Sequence, residues 1–245
     1  MVTRKAILIG NSGGYRNLSL LKGVEKDLDN YYSFLLSKVG GEWLPEEIRI
    51  LKDVNSIELI DVISHSVADY TFVVFCGHGT ISTYTATDTI SLVDIDLSIG
   101  KLVNPSKKQT IVIDACGRAN IPNGIKTNVL NSIKLEQKEK KEISTRIAFD
   151  EAIIKNSKGL ILLFSGFPND VSGDGEVCGG YFSYSLIKAG LDWGNKEKQG
   201  NILTLDNAVD NAKIILNTSF TTKQRPEMSG QIRRLTFPPF AVGTN

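Results

Sequence analysis

Cysteine is scarce: Cys76, Cys116 and Cys178 are the only three in 245 residues, at scattered spacings. An odd set without regular spacing is no disulfide framework and points to a reducing compartment, the cytoplasm. Charge of one sign is missing too. Lys and Arg number 28 against 27 Asp and Glu, a formal net charge of +1, which leaves no electrostatic footprint for duplex nucleic acid or an anionic membrane. Nothing approaches eighteen consecutive apolar residues. The run Ala6 to Gly10 is too short for a signal peptide or a membrane span. No period of 20 to 50 residues repeats, and a 41% hydrophobic, 22% charged composition excludes disordered, collagen-like and coiled-coil classes. What is there is enough chain to bury a full core, read as one α/β domain over residues 1–245.

Short β-branched runs alternate with segments of helical period, the pattern of a mostly parallel sheet with crossover helices. Six strands are expected, at Lys5 to Ile9, Ile48 to Leu51, Thr71 to Cys76, Thr110 to Asp114, Leu160 to Phe164 and Arg233 to Phe237. The last runs into Pro238-Pro239 and is placed at an edge. Leu21, Val24, Leu28, Tyr31 and Leu35 form the stripe of a first helix that Gly40-Gly41 terminates. Ile57, Ile60, Ile63 and Val67 mark a second helix, Ile143, Ile147 and Ile154 a third that starts near Ser144, and Phe182, Leu186 and Ala189 a fourth. Leu205, Ala208, Val209, Ala212 and Leu216 mark a fifth, with Thr204 placed to cap it. Between the fourth strand and third helix, residues 134–142 are a charge run, read as a solvated loop or frayed helix start.

Ligand sites of open parallel sheets lie beyond the carboxyl ends of the strands. There the sequence places Gly10-Asn11-Ser12-Gly13-Gly14, then Cys76-Gly77-His78-Gly79-Thr80, then Asp114-Ala115-Cys116-Gly117-Arg118. A cysteine needs thiolate character to act as a nucleophile, and a histidine beside it supplies base and then acid. His78 and Cys116 are the candidate dyad, and the N–H groups of Gly79 and Cys116 the candidate oxyanion donors. Alone, each residue reads first as structure, a buried thiol or a satisfied loop histidine; the two together at the ends of neighbouring strands read as the dyad.

The strand-Gly77-His78-Gly79-Thr80 segment, followed about forty residues on by strand-Asp114-Ala115-Cys116-Gly117-Arg118, resembles the caspase and metacaspase clan of cysteine peptidases. Residues 21–27 are similar to the opening of that clan's first helix, and residues 179–186 to the helix after its fifth strand. The resemblance implies a three-layer caspase-like α/β fold with a six-stranded mostly parallel sheet and helices on both faces. It also implies peptide hydrolysis by His78 and Cys116. Caspases that cut after aspartate carry Gln-Ala-Cys, whereas here Asp114 stands two residues before Cys116. Metacaspases, which cut after arginine or lysine, have acidic residues at the positions matching Asp27 and Asp114. Two carboxylates at the base of a pocket would bind a guanidinium or ammonium and repel an acidic side chain. Asp29 is an alternative for the role given to Asp27. The resemblance further places Phe167 in the substrate groove and a maturation cut in residues 134–142, where Lys138, Lys140 and Lys141 suit a pocket for basic residues.

A zinc tetrad from Cys76, His78, Cys116 and Cys178 has no paired knuckle spacing behind it. Asp88, Asp94 and Asp96 miss the EF-hand pattern, so no cofactor is assigned and calcium activation has no motif. The Gly10–Gly14 loop lacks a phosphate-binding fingerprint. Protein or peptide substrates with a basic residue before the cut are the expected partners, and recruitment or activation is expected to come from a separate protein. By analogy of fold, the setting is regulated proteolysis, defence or cell death. The competing function is a caspase-like regulatory module that binds without cutting.

Overall fold

The structure, a computed structural model, describes residues 2–13, 18–80, 88–115, 144–166, 173–222, 224–230 and 236–245. In chain order the elements are β1 (Arg4–Asn11), α1 (Val24–Leu36), β2 (Ile48–Lys52), α2 (Ser56–His65), β3 (Tyr70–Gly77), β4 (Gly79–Thr80), β5 (Thr89–Ser91), β6 (Asp96–Ser98) and β7 (Lys108–Ala115). Then follow α3 (Thr145–Lys155), β8 (Gly159–Phe164), β9 (Asp174–Gly175), β10 (Gly179–Gly180), α4 (Tyr181–Gly194), β11 (Ile202–Thr204), α5 (Leu205–Ser219), β12 (Glu227–Gly230) and β13 (Pro239–Val242). The central sheet has six strands in the order β12-β8-β7-β3-β1-β2, parallel except for β12.

Strand alternation divides the core into two layers. Ala6 and Leu8 of β1, Phe72, Val74 and Cys76 of β3 and Val112 of β7 pack with residues of α1, α3, α4 and α5. Their neighbours Ile7, Ile9, Val73, Phe75, Ile111 and Ile113 face the other way, onto Leu59 and Ile63 of α2 and the small sheet β4-β5-β6. Both faces of β1, β3 and β7 are therefore covered, which is why those strands read as unbroken apolar runs.

Five of the six expected strands lie where the sequence places them. The sixth does not: β12 at Glu227–Gly230 pairs antiparallel with β8, while residues 231–235 lie outside the described set and Thr236 and Phe237 are not in a strand. Pro239 opens β13, which pairs with β11 in a separate ribbon. The faces of two helices also differ from expectation. Ile57 is 81% exposed and Ile60 and Val67 are exposed too, while Ser56, Leu59 and Ile63 are buried; on α3, Ile147 and Ile154 are exposed and Thr145, Phe149 and Ile153 are buried. The α1 helix ends at Leu36, ahead of Gly40-Gly41. Thr204 stands at the N-cap of α5, yet its hydroxyl takes a hydrogen bond from the Asn207 amide rather than from the backbone.

Far from the strands' carboxyl ends, Arg4 is wholly buried. Its guanidinium donates to the Gly41 and Glu42 carbonyls, lies 3.3 Å from Asp150 and stacks over Trp43 and Phe149. Burial pushes the group down to about 10, so it keeps its charge at neutral pH. The Glu42 carboxylate accepts from Ser144 Oγ, Thr145 Oγ1 and the Arg146 N–H, satisfying the first turn of α3. Arg4→Ala should destabilise the fold by about 3–5 kcal/mol, because it leaves buried carboxylate and carbonyl groups without their partner. Urea unfolding measures this. A loss under about 1 kcal/mol, the range of an exposed pair, would mean that packing of Trp43 on Phe149 carries the corner alone.

Candidate functional site

Register places the site before any side chain is considered. Gly10 of β1 pairs with Cys76 of β3, which pairs with Asp114 of β7, one row across three strands near their carboxyl ends. All three have the parity of Leu8, Val74 and Val112, so they face α1 and α4. The first two are small, and a Cβ on Gly10 would come within 2.8 Å of Leu28 and Val24, so α1 descends directly onto the strand.

Two carboxylates meet over that row. Asp27, in the first turns of α1, is 3% exposed and Asp114 is 6% exposed. Both are held by the start of α4. The Gly180 N–H donates to both Asp27 oxygens at 2.9 and 3.0 Å, and Ser183 donates to Asp114 Oδ2 through its N–H at 3.0 Å and its hydroxyl at 2.6 Å. The positive end of a helix and its unpaired N–H groups suit that task. A Cβ on Gly180 would lie 2.5 Å from Asp114 and 3.2 Å from Asp27, so the two acids face one another across this glycine. Gly179, at φ +84°, sits in the left-handed region, and a Cβ there would fall 2.1 Å from Asp27.

A third carboxylate, Asp174 on β9, accepts from the Gly23 N–H at the start of α1 and is close enough to Asp27, Asp114 and His78 for their charges to act on one another. Burial pushes all three acids up. For Asp27 the charge of Asp114 adds to the rise and the Gly180 N–H opposes it; for Asp114 the Ser183 hydroxyl and N–H oppose it. Burial likewise pushes the Cys76 thiol well up, with Asp27 and Asp114 adding to it, so Cys76 stays protonated. Among the described residues no lysine or arginine pairs with any of the three acids.

His78 follows β3 and Cys116 follows β7 in the chain, and the residues before them, Gly77 and Ala115, are register partners. His78 Nε2 lies 2.7 Å from the Ser19 carbonyl. A carbonyl only accepts, so Nε2 carries a proton, and in the neutral form of the ring the lone pair falls on Nδ1. The segment bearing Ser19 is fixed by Leu21 N–H donating to the Ser12 carbonyl, and Ser12 by its N–H and hydroxyl on Asp53. Gly79 is backed against Ala115: a Cβ there would lie 2.9 Å from the Ala115 Cβ and 2.8 Å from the Thr89 carbonyl. Ser91 N–H donates to the His78 carbonyl. Gly79 and Ile90 thus form a non-hydrogen-bonded pair, which leaves the Gly79 N–H out of the β4-β5 ladder.

Of the residues expected from sequence, Asp27, Asp114, His78 and Gly79 gather at this end of the sheet. Cys116, Phe167 and residues 134–142 lie outside the described set. Asp29 is exposed, lining a shallow groove between α1 and α4, and so does not share the site with Asp114. Asp94 and Asp96 bind Ser56 and Ser91, and among the described residues no His/Cys/Asp/Glu group could hold a metal. Sequence reasoning missed Asp174 and Ser183. Paired glycines just ahead of a helix, at Gly179-Gly180, were the available sign that an anion is held there.

Among the described residues no helix is long and apolar enough to cross a membrane, and the two described cysteines, Cys76 and Cys178, are free. No curated protein matches the sequence. The fold is similar to that in the crystal structure of caspase-1 from Spodoptera frugiperda, with a TM-score of 0.60 and 16% identity over 96% of this chain and 88% of that one. A family model described as the caspase domain matches residues 3–237. With that match running over nearly the whole sequence, the chain belongs to the caspase-domain family of cysteine peptidases.

Proposed function

We propose that residues 1–245 form one caspase-like cysteine endopeptidase that cuts after arginine or lysine. The observation that carries this reading is the convergence of the buried acids Asp27 and Asp114 on the start of α4, at the sheet end that bears His78. A guanidinium or ammonium supplies the charge those carboxylates lack, and an aspartate side chain would be repelled. In the reaction, His78 Nδ1 takes the thiol proton of Cys116 and the sulfur adds to the scissile carbonyl carbon. The oxyanion is received by the N–H groups of Gly79 and Cys116. His78 then returns the proton to the departing amine as the C–N bond breaks, leaving a thioester. Water, deprotonated by His78, adds to the thioester; collapse releases the acid and restores the thiol. Each step draws on these side chains, two backbone N–H groups and water.

Phe167 is assigned to the wall of the substrate groove, and the lysines of residues 134–142 to a site of self-processing. The enzyme would work in the reducing cytoplasm, in regulated proteolysis, defence or cell death, with a separate protein delivering or activating it. Fluorogenic peptides with Arg, Lys or Asp before the reporter test the reading: turnover of the first two and not the third is expected. Turnover only after Asp would overturn the pocket. No turnover, with no labelling of Cys116 by an arginyl chloromethylketone, would favour a silent binding module instead. For self-processing, new termini within 134–142 should appear in the wild type and not in Cys116→Ala, and identical cleavage in both would sink that assignment.

A further inference from the structure

Three acids share one site, and among the described residues the groups that hydrogen-bond to them are neutral. Asp27 comes from α1, Asp114 from β7 and Asp174 from β9. Their hydrogen-bond donors include the N–H groups of Lys22, Gly23, Gly175, Gly180 and Ser183 and the hydroxyls of Ser165 and Ser183, all of them neutral. The other titratable groups facing them are Cys76 of β3, Tyr31 of α1, Cys178 and Tyr181 around β10, and His78, which lies near enough to Asp174 to interact with it when protonated. Tyr31 is wholly buried with its hydroxyl beside Ser183, one more neutral polar group next to the acids. Lys22, just ahead of α1, pairs with Glu176 at the exposed rim. Neutral dipoles orient carboxylates, but they do not balance three negative charges brought together out of water.

We propose that the substrate-free pocket holds a proton on the set Asp27, Asp114 and Asp174, and that an arginine or lysine side chain enters in exchange for it. The proposal rests on the basic-residue reading of the pocket and adds Asp174 and the proton to it. The exchange balances: a carboxylic acid and a cation become a carboxylate–cation pair, and the released proton goes to the buffer. The guanidinium keeps all of its own. Affinity for a basic side chain then rises with pH, by up to about tenfold per unit for one proton exchanged, and levels off once the substrate-free pocket has ionised. A neutral side chain at the same position shows no such rise.

Calorimetry on the Cys116→Ala chain of residues 1–245 tests this with an N-acetylated peptide amide ending in arginine and its norleucine counterpart, at about pH 7 in phosphate, Hepes and Tris. With the arginine peptide, the apparent binding enthalpy should change with the buffer's ionisation enthalpy by an amount equal to about one proton released, and less in Asp174→Asn. The norleucine peptide gives the background from other groups. Arginine binding with no more proton release than norleucine overturns the exchange and leaves the pocket reading standing. Norleucine binding without arginine binding overturns the pocket reading itself.

Discussion

Asparagine at Asp27 or Asp114 should lower kcat/KM for peptides with arginine or lysine before the cut by about 10²- to 10³-fold, the cost of removing one member of a buried charge pair. The same change at Asp27 should make the protein's stability less sensitive to alkali. The carboxyl is held above its unfolded value, so the folded state binds the proton more tightly than the unfolded chain does. Stability from this group is fully present below about pH 4, where both states are protonated, and is lost as pH rises toward the folded-state value. The substituted amide keeps an oxygen for the Gly180 N–H and has no charge to bury. Thermal unfolding from about pH 4 to about pH 8 should therefore show a shallower alkaline decline in Asp27→Asn than in the wild type. A lower melting temperature with an unchanged pH slope would make Asp27 a structural carboxylate. Retained cleavage after arginine in both single variants would remove the pocket altogether.

Alanine at His78 or Cys116 should each reduce turnover by about 10⁴-fold or more, and the double variant should be no slower than the worse single one. Groups that act on one proton fail as a unit, so their losses do not add. The geometry behind this is the Ser19 carbonyl, which fixes the proton on Nε2 and leaves Nδ1 as the base. Single-turnover kinetics on an arginyl ester and the matching amide would locate the histidine's part. His78→Ala should harm amide cleavage more than ester cleavage, because an alkoxide leaves with less need of a general acid. Multiplicative losses in the double variant would mean that the two residues do not form a dyad.

How much of this was legible in the sequence depended on how much chain each feature spans. The buried face of α5 was read residue by residue, since fifteen residues carry one apolar stripe with polar residues opposite. The ten and eleven residues of α2 and α3 have isoleucines on both sides, so the apolar pattern points to Ile57 and Ile147 as much as to the buried Leu59 and Phe149. Strand β12 is Glu-Met-Ser-Gly, without a β-branched residue, and joins the sheet edge through its backbone. The pairing of Asp27 with Asp114 came from resemblance. Its physical basis, the row Gly10, Cys76, Asp114 under the start of α4, exists only once the strands are in register. Asp174 stands between two glycines and reads as an ordinary turn.

The parallel pairing of β7 with β8, whose register runs from Lys108–Gly159 to Ile113–Phe164, brings a consequence for a chain cut between Ala115 and Ser144. The first piece would own β1, β2, β3 and β7, and the second β8 and β12, with α3 clipped to Glu42 of its counterpart. Neither owns a complete sheet. A cut protein would run as one particle in gel filtration and separate only on denaturation, and its melting temperature, unlike that of the intact chain, would climb with protein concentration, because refolding would have become a meeting of two molecules.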